Sequence, residues 1–177
     1  MGGANHLAQF IFKNKTPPMN NHDRIREYRD EDFDAVTILW RIAREKLLPE
    51  GQTDTGHHFY EDRDYFRHQV LKKNKIWVVE LDRRPVAFMA MENEFIDQLY
   101  VHPDHQRKGI GEALLNFARD RSPEHVWLYT LQSNTNARAF YEKHGFIAEK
   151  FGYSPPPENE PDVEYHWRKS STVHPQP

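Results

Sequence analysis

The stretch Leu99-Tyr100-Val101-His102-Pro103-Asp104-His105-Gln106-Arg107-Lys108-Gly109-Ile110-Gly111 joins an apolar run to a helical one through a short turn with basic residues and two glycines. The start of a helix presents unpaired backbone N–H groups and the positive end of the helix dipole, so it suits a phosphate. Gly109 and Gly111 remove side chains that would hold a pyrophosphate off the backbone, and Arg107 and Lys108 add positive charge. Steric demands of a strand-to-helix turn can also call for glycine. A dinucleotide fingerprint is excluded because Leu114 stands where its third glycine belongs. A P-loop is excluded because Gly-Lys-Ser/Thr is absent. The residues therefore point to a phosphate site of another kind.

Two other residue types invite chemistry. Asp97 lies inside an otherwise apolar strand, where desolvating a carboxylate calls for a functional or paired reason. Simple alternation puts Phe95, Asp97 and Leu99 on one face and Ile96, Gln98 and Tyr100 on the other. Tyr141 follows Asn134 by seven residues, about two helical turns, and so shares its face. Asn134 also suits a helix cap. The 11 histidines lack ligand spacing. His57 and His58 are adjacent and point different ways, whereas His102 and His105 flank a turn.

The elements that must position these residues can be read from periodicity. A strand over Arg24–Arg29 precedes a helix capped by Asp30, with Phe33, Val36, Trp40, Ala43 and Leu47 at helical spacing. Leu48-Pro49-Glu50-Gly51 breaks that helix, and a more polar one covers His57–Lys73. Strands Lys75–Leu81 and Pro85–Met91 form a hairpin, and Glu94–Val101 follows. A helix over Gly109–Asp120 carries Ile110, Ala113, Leu114, Phe117 and Ala118 on one face. Strand His125–Leu131, helix Asn134–His144 ended by Gly145, and strands Phe146–Phe151 and Val163–Lys169 complete the reading. A Pro-rich loop, Gly152–Pro161, separates the last two strands. Tyr165 and Trp167 alternate into the core. The expected architecture is α/β: a mixed sheet with helices on both faces.

Gln106-x-x-Gly109-x-Gly111, after a strand ending Leu-Tyr-Val-His-Pro, resembles the acetyl-CoA signature of the GCN5-related N-acetyltransferases (GNAT). Asn134-x-Asn136-Ala137-Arg138-x-Phe140-Tyr141-Glu142-Lys143-x-Gly145-Phe146 is similar to the second motif of that family. The resemblance spans roughly Arg24 to Lys169 and is close over Leu99–Phe146. It implies the GNAT fold, a six- to seven-stranded sheet splayed in the middle with the pantetheine arm of acetyl-CoA in the gap. Leu99, Tyr100 and Val101 would bond that arm through their backbone. Arg107, Lys108, Gly109, Ile110, Gly111 and Glu112 would hold the pyrophosphate, with Gln106, Asn134, Asn136, Ala137, Phe140 and Tyr141 completing the cofactor site. Tyr141 is the implied acid beside the sulfur and Asp97 the implied base, with Glu94 and Tyr129 as substitutes. No metal is expected. Transfer to a primary amine of a small molecule or peptide in a ternary complex is the leading function. An acyl-CoA-binding regulatory module is the alternative, but it would need neither Tyr141 nor Asp97.

Composition narrows the class. The chain has 177 residues and no cysteine, which excludes disulfides and a thiolate nucleophile. A net charge of -3, with 24 basic and 27 acidic residues mixed, leaves no footprint for nucleic acid or a membrane surface. No apolar run nears the roughly 18 residues of a spanning helix. Residues 1–22 read as a flexible leader without a signal-peptide pattern, 23–170 as one acetyltransferase domain and 171–177 as a flexible tail. A cytoplasmic location and, on the partner side, a homodimer are compatible with this reading.

Overall fold

A computed structural model of the chain describes residues 24–46, 58–155 and 159–170. The expected leader, the break at Leu48–Gly51, residues Leu47 and His57, and the tail lie outside the described residues.

Seven strands form one sheet: β1 (Ile25–Glu27), β2 (Lys75–Leu81), β3 (Arg84–Glu92), β4 (Phe95–Val101), β5 (His125–Leu131), β6 (Ile147–Tyr153) and β7 (Pro161–Arg168). Their order across the sheet is β1-β2-β3-β4-β5-β7-β6. Only the β4–β5 pair is parallel. Five α-helical segments surround it: α1 (Phe33–Glu45), α2 (Phe59–Tyr65), α3 (Leu71–Lys73), α4 (Ile110–Arg121) and α5 (Thr135–Lys143). The expected second helix is thus interrupted by a π turn over Phe66–Val70, which turns Phe66 and Val70 fully into the core.

The start of α1 departs from the sequence reading. Asp30 does not cap it; the chain first makes a 3-10 turn, Asp30–Asp32, and the Asp32 carboxylate accepts the Arg29 N–H at 2.8 Å. Asp32 also takes both guanidinium nitrogens of Arg26, at 2.7 and 2.8 Å, and these bonds hold its carboxyl below the usual range despite burial. That pairing fixes β1 to the entry of α1.

The apolar periodicities bury the two faces separately. On one face Val36, Leu39 and Trp40 of α1 meet Phe66, Val70, Val78 and Phe88. On the other, Ile110, Leu114, Leu115 and Ala118 of α4 meet Val79, Met89, Leu128 and Tyr165. Helices therefore cover both faces, as expected. Tyr165 is fully buried, and Trp167 packs against the same cluster.

Alternation along β4 fails at one position. Gln98 pairs with Ala90 and Ile96 with Met91, so Asp97 is the extra residue of a β-bulge. In consequence Ile96 and Leu99 pack on the same α4 side, and Tyr100 packs on the α1 side. The even-spaced face expected for Phe95, Asp97 and Leu99 does not form.

Gly111 has a packing role that the sequence reading assigned instead to ligand approach. A Cβ there would lie 3.0 Å from Cζ and 3.4 Å from Cε2 of Phe140 on α5. The Phe140 ring is braced against His144 at 4.7 Å and Tyr141 at 5.4 Å between centroids, so it has little room to yield. Gly111→Ala should therefore lower stability by about 1–2 kcal/mol, overpacking outweighing the better helix propensity of alanine. In a Phe140→Leu background the same substitution should cost about 1 kcal/mol less, a coupling that a double-mutant cycle by chemical denaturation measures.

Candidate active site

The turn between β4 and α4 is shaped by backbone conformation. Arg107 has φ 60 and Gly109 φ 78, both left-handed, with Lys108 between them. Such alternation turns successive N–H groups toward one side, the geometry of an anion nest. Gly109 is the N-cap of α4 and no side chain caps the helix; the first intrahelical bond runs from Ala113 N–H to Gly109 C=O at 3.0 Å. The N–H groups of Ile110, Gly111 and Glu112 thus have no partner within the helix. The Ile110 side chain is buried in the core, so only its backbone faces this turn. Gln106 folds back, its amide donating to Val101 C=O at 3.3 Å, and Lys108 Nζ donates to Asp104 C=O at 2.8 Å. His102 and His105 lie in the 3-10 turn just before, where His102 Nδ1 accepts the Asp104 N–H at 3.3 Å; they are turn residues, as expected.

Beside this turn the sheet opens. β4 and β5 pair only at Phe95–Trp127 and Ile96–Leu128, with Trp127 N–H bonded to Glu94 C=O at 3.0 Å. From Gln98 to Val101, β4 is bonded to β3 alone, and β5 from Tyr129 onward is bonded to β7 alone. One edge of Leu99–Val101 is therefore left unpaired by β5; its Val101 C=O accepts the Gln106 amide, and its other backbone groups suit a pantetheine-like chain of amides. The opening, the nest and the helix start together fit a coenzyme A molecule.

Tyr141 of α5 belongs to the same core cluster as Ile96 and Leu128, the pair after which β4 and β5 part. Its ring lies 6.0 Å from that of Tyr165 on β7 and 5.7 Å from Phe146. No described residue hydrogen-bonds its hydroxyl. Burial, reinforced by the charge that Tyr100 would carry, raises its pKa well above that of a free phenol. It stays protonated at neutral pH and has a proton to give. Asn134 serves as the cap of α5, its Oδ1 accepting the Ala137 N–H at 3.1 Å, so its amide NH2 is the donor it can still offer. Asn136 is exposed on the first turn of α5, and Ala137 and Phe140 pack along the core edge.

The bulge turns Asp97 toward Asn74, at the end of α3. Asn74 Nδ2 donates to Asp97 Oδ2 at 2.8 Å and to Val70 C=O at 3.0 Å. Burial raises the Asp97 pKa, outweighing the bonds from Asn74 and Gln98. Nothing in sequence spacing had pointed to Asn74. It precedes β2 by one residue, and only the fold carries it across to β4.

A second polar cluster was also missed. Glu164 on β7, buried, accepts the Tyr129 hydroxyl at 2.8 Å, Lys150 Nζ at 2.9 Å and His166 Nε2 at 2.6 Å. These donors pull its pKa down to about 2. The Tyr129 hydroxyl, bonded to this carboxylate, is pushed up to about 12. Tyr129 is thus a poor base at neutral pH. Alternation did carry a signal here: if Tyr165 and Trp167 face the core, Glu164 and His166 must share the opposite face. Glu94 is exposed at the turn before β4.

Among the described residues no group of three or more His, Asp or Glu side chains is arranged to hold a metal ion. Nor is any helix there long and apolar enough to cross a membrane. The family model for the acetyltransferase (GNAT) domain matches residues 72–148, from just before β2 to β6. The peptidyl-lysine N-acetyltransferase YiaC of Escherichia coli K12 is 31% identical over 130 residues, covering 69% of this chain and 82% of its own. The peptidyl-lysine N-acetyltransferase YjaB of the same organism is 32% identical over 129 residues, covering 69% and 80%. Among solved structures, the PaiA N-acetyltransferase of Thermoplasma acidophilum in complex with coenzyme A superposes with a TM-score of 0.64 at 17% identity, over 82% of this chain and 98% of that one. The sheet parted between β4 and β5, the uncapped start of α4 and these relationships lead to one conclusion: the chain belongs to the GNAT family of N-acetyltransferases.

Proposed function

We propose that this chain transfers an acetyl group from acetyl-CoA to a primary amine by direct attack in a ternary complex, and that the acceptor class is a lysine side chain in a peptide. The observation that carries the reading is the opening between β4 and β5, with the edge of Leu99–Val101 that β5 leaves unpaired on one side and Tyr141 in the core cluster of Ile96 and Leu128. The acceptor class rests on the names of two relatives, both peptidyl-lysine N-acetyltransferases. Bound acetyl-CoA supplies the thioester carbonyl and a thiolate leaving group.

The residues of the chain divide the remaining work. The N–H groups of Arg107–Glu112 hold the pyrophosphate, and the freed edge of Leu99–Val101 orients the arm that ends in the thioester. Attack requires an unprotonated amine. Asp97, directly or through a water, accepts the proton of the incoming ammonium, and its raised pKa makes it a better base than an exposed aspartate. Tyr141 donates its proton to the departing sulfur. Burial of both groups excludes bulk water, which strengthens each electrostatic contact in the site. Release of coenzyme A from acetyl-CoA in the presence of lysine peptides tests the reading. Coenzyme A binding without release would instead favour the acyl-CoA-binding module.

Two mutants test the roles. Tyr141→Phe keeps the ring and breaks no hydrogen bond to a described residue, so the melting temperature should hardly move. Loss of a general acid should lower kcat by roughly ten- to a thousandfold with little change in cofactor affinity. Wild-type turnover would end the assignment.

For Asp97 the sign follows from its raised pKa. The folded state binds the proton more tightly than the unfolded chain, so the charged carboxylate costs stability once pH exceeds the unfolded value. Asp97→Asn still accepts the Asn74 bond. It should raise the melting temperature near neutrality and lose that advantage toward about pH 4, the unfolded aspartate value. The same mutant should have a lower rate plateau and a rate limb moved to higher pH. A melting temperature that falls together with an unshifted limb would identify a purely structural carboxylate.

A further inference from the structure

One residue before β4 and β5 part, the side chains at the first of their two paired positions begin an aromatic corner. The rings of Phe95 and Trp127 have centroids 4.3 Å apart. Tyr129, two residues further along β5, stands at 72° to Phe95 and 78° to Trp127, with centroids 6.1 and 5.5 Å away. Tyr129 is 48% exposed. The cluster that α1 buries ends at β3 and β4 and includes no residue of β5, β6 or β7. Among the described residues, therefore, no helix seals this corner.

Its chemistry is one-signed. Ring faces attract cations. The Tyr129 hydroxyl commits its proton to Glu164, so toward a ligand its oxygen offers only acceptor capacity. Glu164 itself lies behind the ring as an ionised carboxylate. A primary ammonium already rests on it: Lys150 Nζ, at the end of a side chain 73% exposed. The carboxylate thus holds an alkylammonium in this structure, at the end of a side chain that is itself mostly in solvent.

We propose that the corner of Phe95, Trp127 and Tyr129, backed by Glu164, binds a second cationic side chain of the acceptor, beside the lysine that is acetylated. The proposal rests on the acetyltransferase reading for its substrate and deepens it: the preferred acceptor is a peptide with two neighbouring positive charges. Lys150 competes with the incoming cation for Glu164 and sets the strength of the preference.

The test uses two lysine peptides differing at one flanking position, lysine in one and norleucine in the other, assayed near pH 8 to keep histidines mostly neutral. The readout is the ratio of kcat/KM for the dicationic peptide to that for the monocationic one. In the wild type it should be roughly three- to thirtyfold, the range of a cation held on aromatic faces. Tyr129→Leu should bring it close to one, and Tyr129→Phe should keep most of it. Glu164→Gln should lower the ratio and Lys150→Met should raise it, and these opposite signs are not expected from general destabilisation. A wild-type ratio of one, or a ratio indifferent to both Tyr129→Leu and Lys150→Met, overturns the proposal. If neither peptide is acetylated, the acetyltransferase reading falls. The same ratio taken from calorimetric Kd values with coenzyme A present then decides on the corner separately.

Discussion

A parallel pair of strands is held together by slanted hydrogen bonds along its whole length, and here those bonds stop after two residue pairs. Most of the site depends on that interruption. Past Ile96 and Leu128, β4 stays with β3 and β5 stays with β7, so the sheet is continuous at one end and divided at the other. Buried backbone groups must find partners. A sheet that leaves an inner edge unpaired is stable in water only if that edge is wet or is met by a ligand with amide groups of its own. The bulge at Asp97 falls just where the separation begins. It adds twist to β4 and turns the carboxylate out of the strand's alternation, so one irregularity both aids the opening and places an ionisable group beside it.

The two titratable groups proposed for catalysis owe their properties to burial more than to partners. The Tyr141 hydroxyl has no hydrogen-bonded partner among the described residues, and Asp97 has a neutral amide, Asn74, where a stabilising cation would have lowered its pKa. Glu164 shows the opposite regime nearby. It too is buried, but three donors surround it and its pKa falls to about 2. The two carboxylates, with β5 between their strands, thus differ because one is offered only neutral amides and the other is offered an ammonium, an imidazole and a phenol. The first is suited to exchanging a proton and the second to holding a fixed negative charge.

These contrasts explain what could be read from the sequence. Element types and most boundaries followed from periodicity, because α4 must face a sheet and β5 must alternate, and β2 and β5 were placed to the residue. The turn before α4 was legible because Gly109 adopts a backbone angle that glycine accepts without strain. Position 111 carries a second constraint, a ring 29 residues away, Phe140, that spacing could not show because it carries no information on which helices touch. The face of Asp97 was misread because period-two alternation assumes an unbroken strand. Asn74 was invisible for a related reason: its partner is 23 residues distant and reached only once β2, β3 and β4 are laid side by side.

The acceptor side is where local pattern says least and tertiary placement says most. Trp127, Tyr129, Glu164 and His166 are separated in sequence by a helix and a strand, and each by itself reads as an ordinary alternating residue. Antiparallel register brings Tyr129 opposite Glu164 and Trp127 opposite His166, giving a phenol on a carboxylate and an indole stacked on an imidazole at 6.0 Å. The carboxylate is buried, but the Lys150 side chain that reaches it is exposed. In the proposed reading the two charges sort the two substrates, the phosphate-bearing donor at the start of α4 and the cationic acceptor at the corner backed by Glu164.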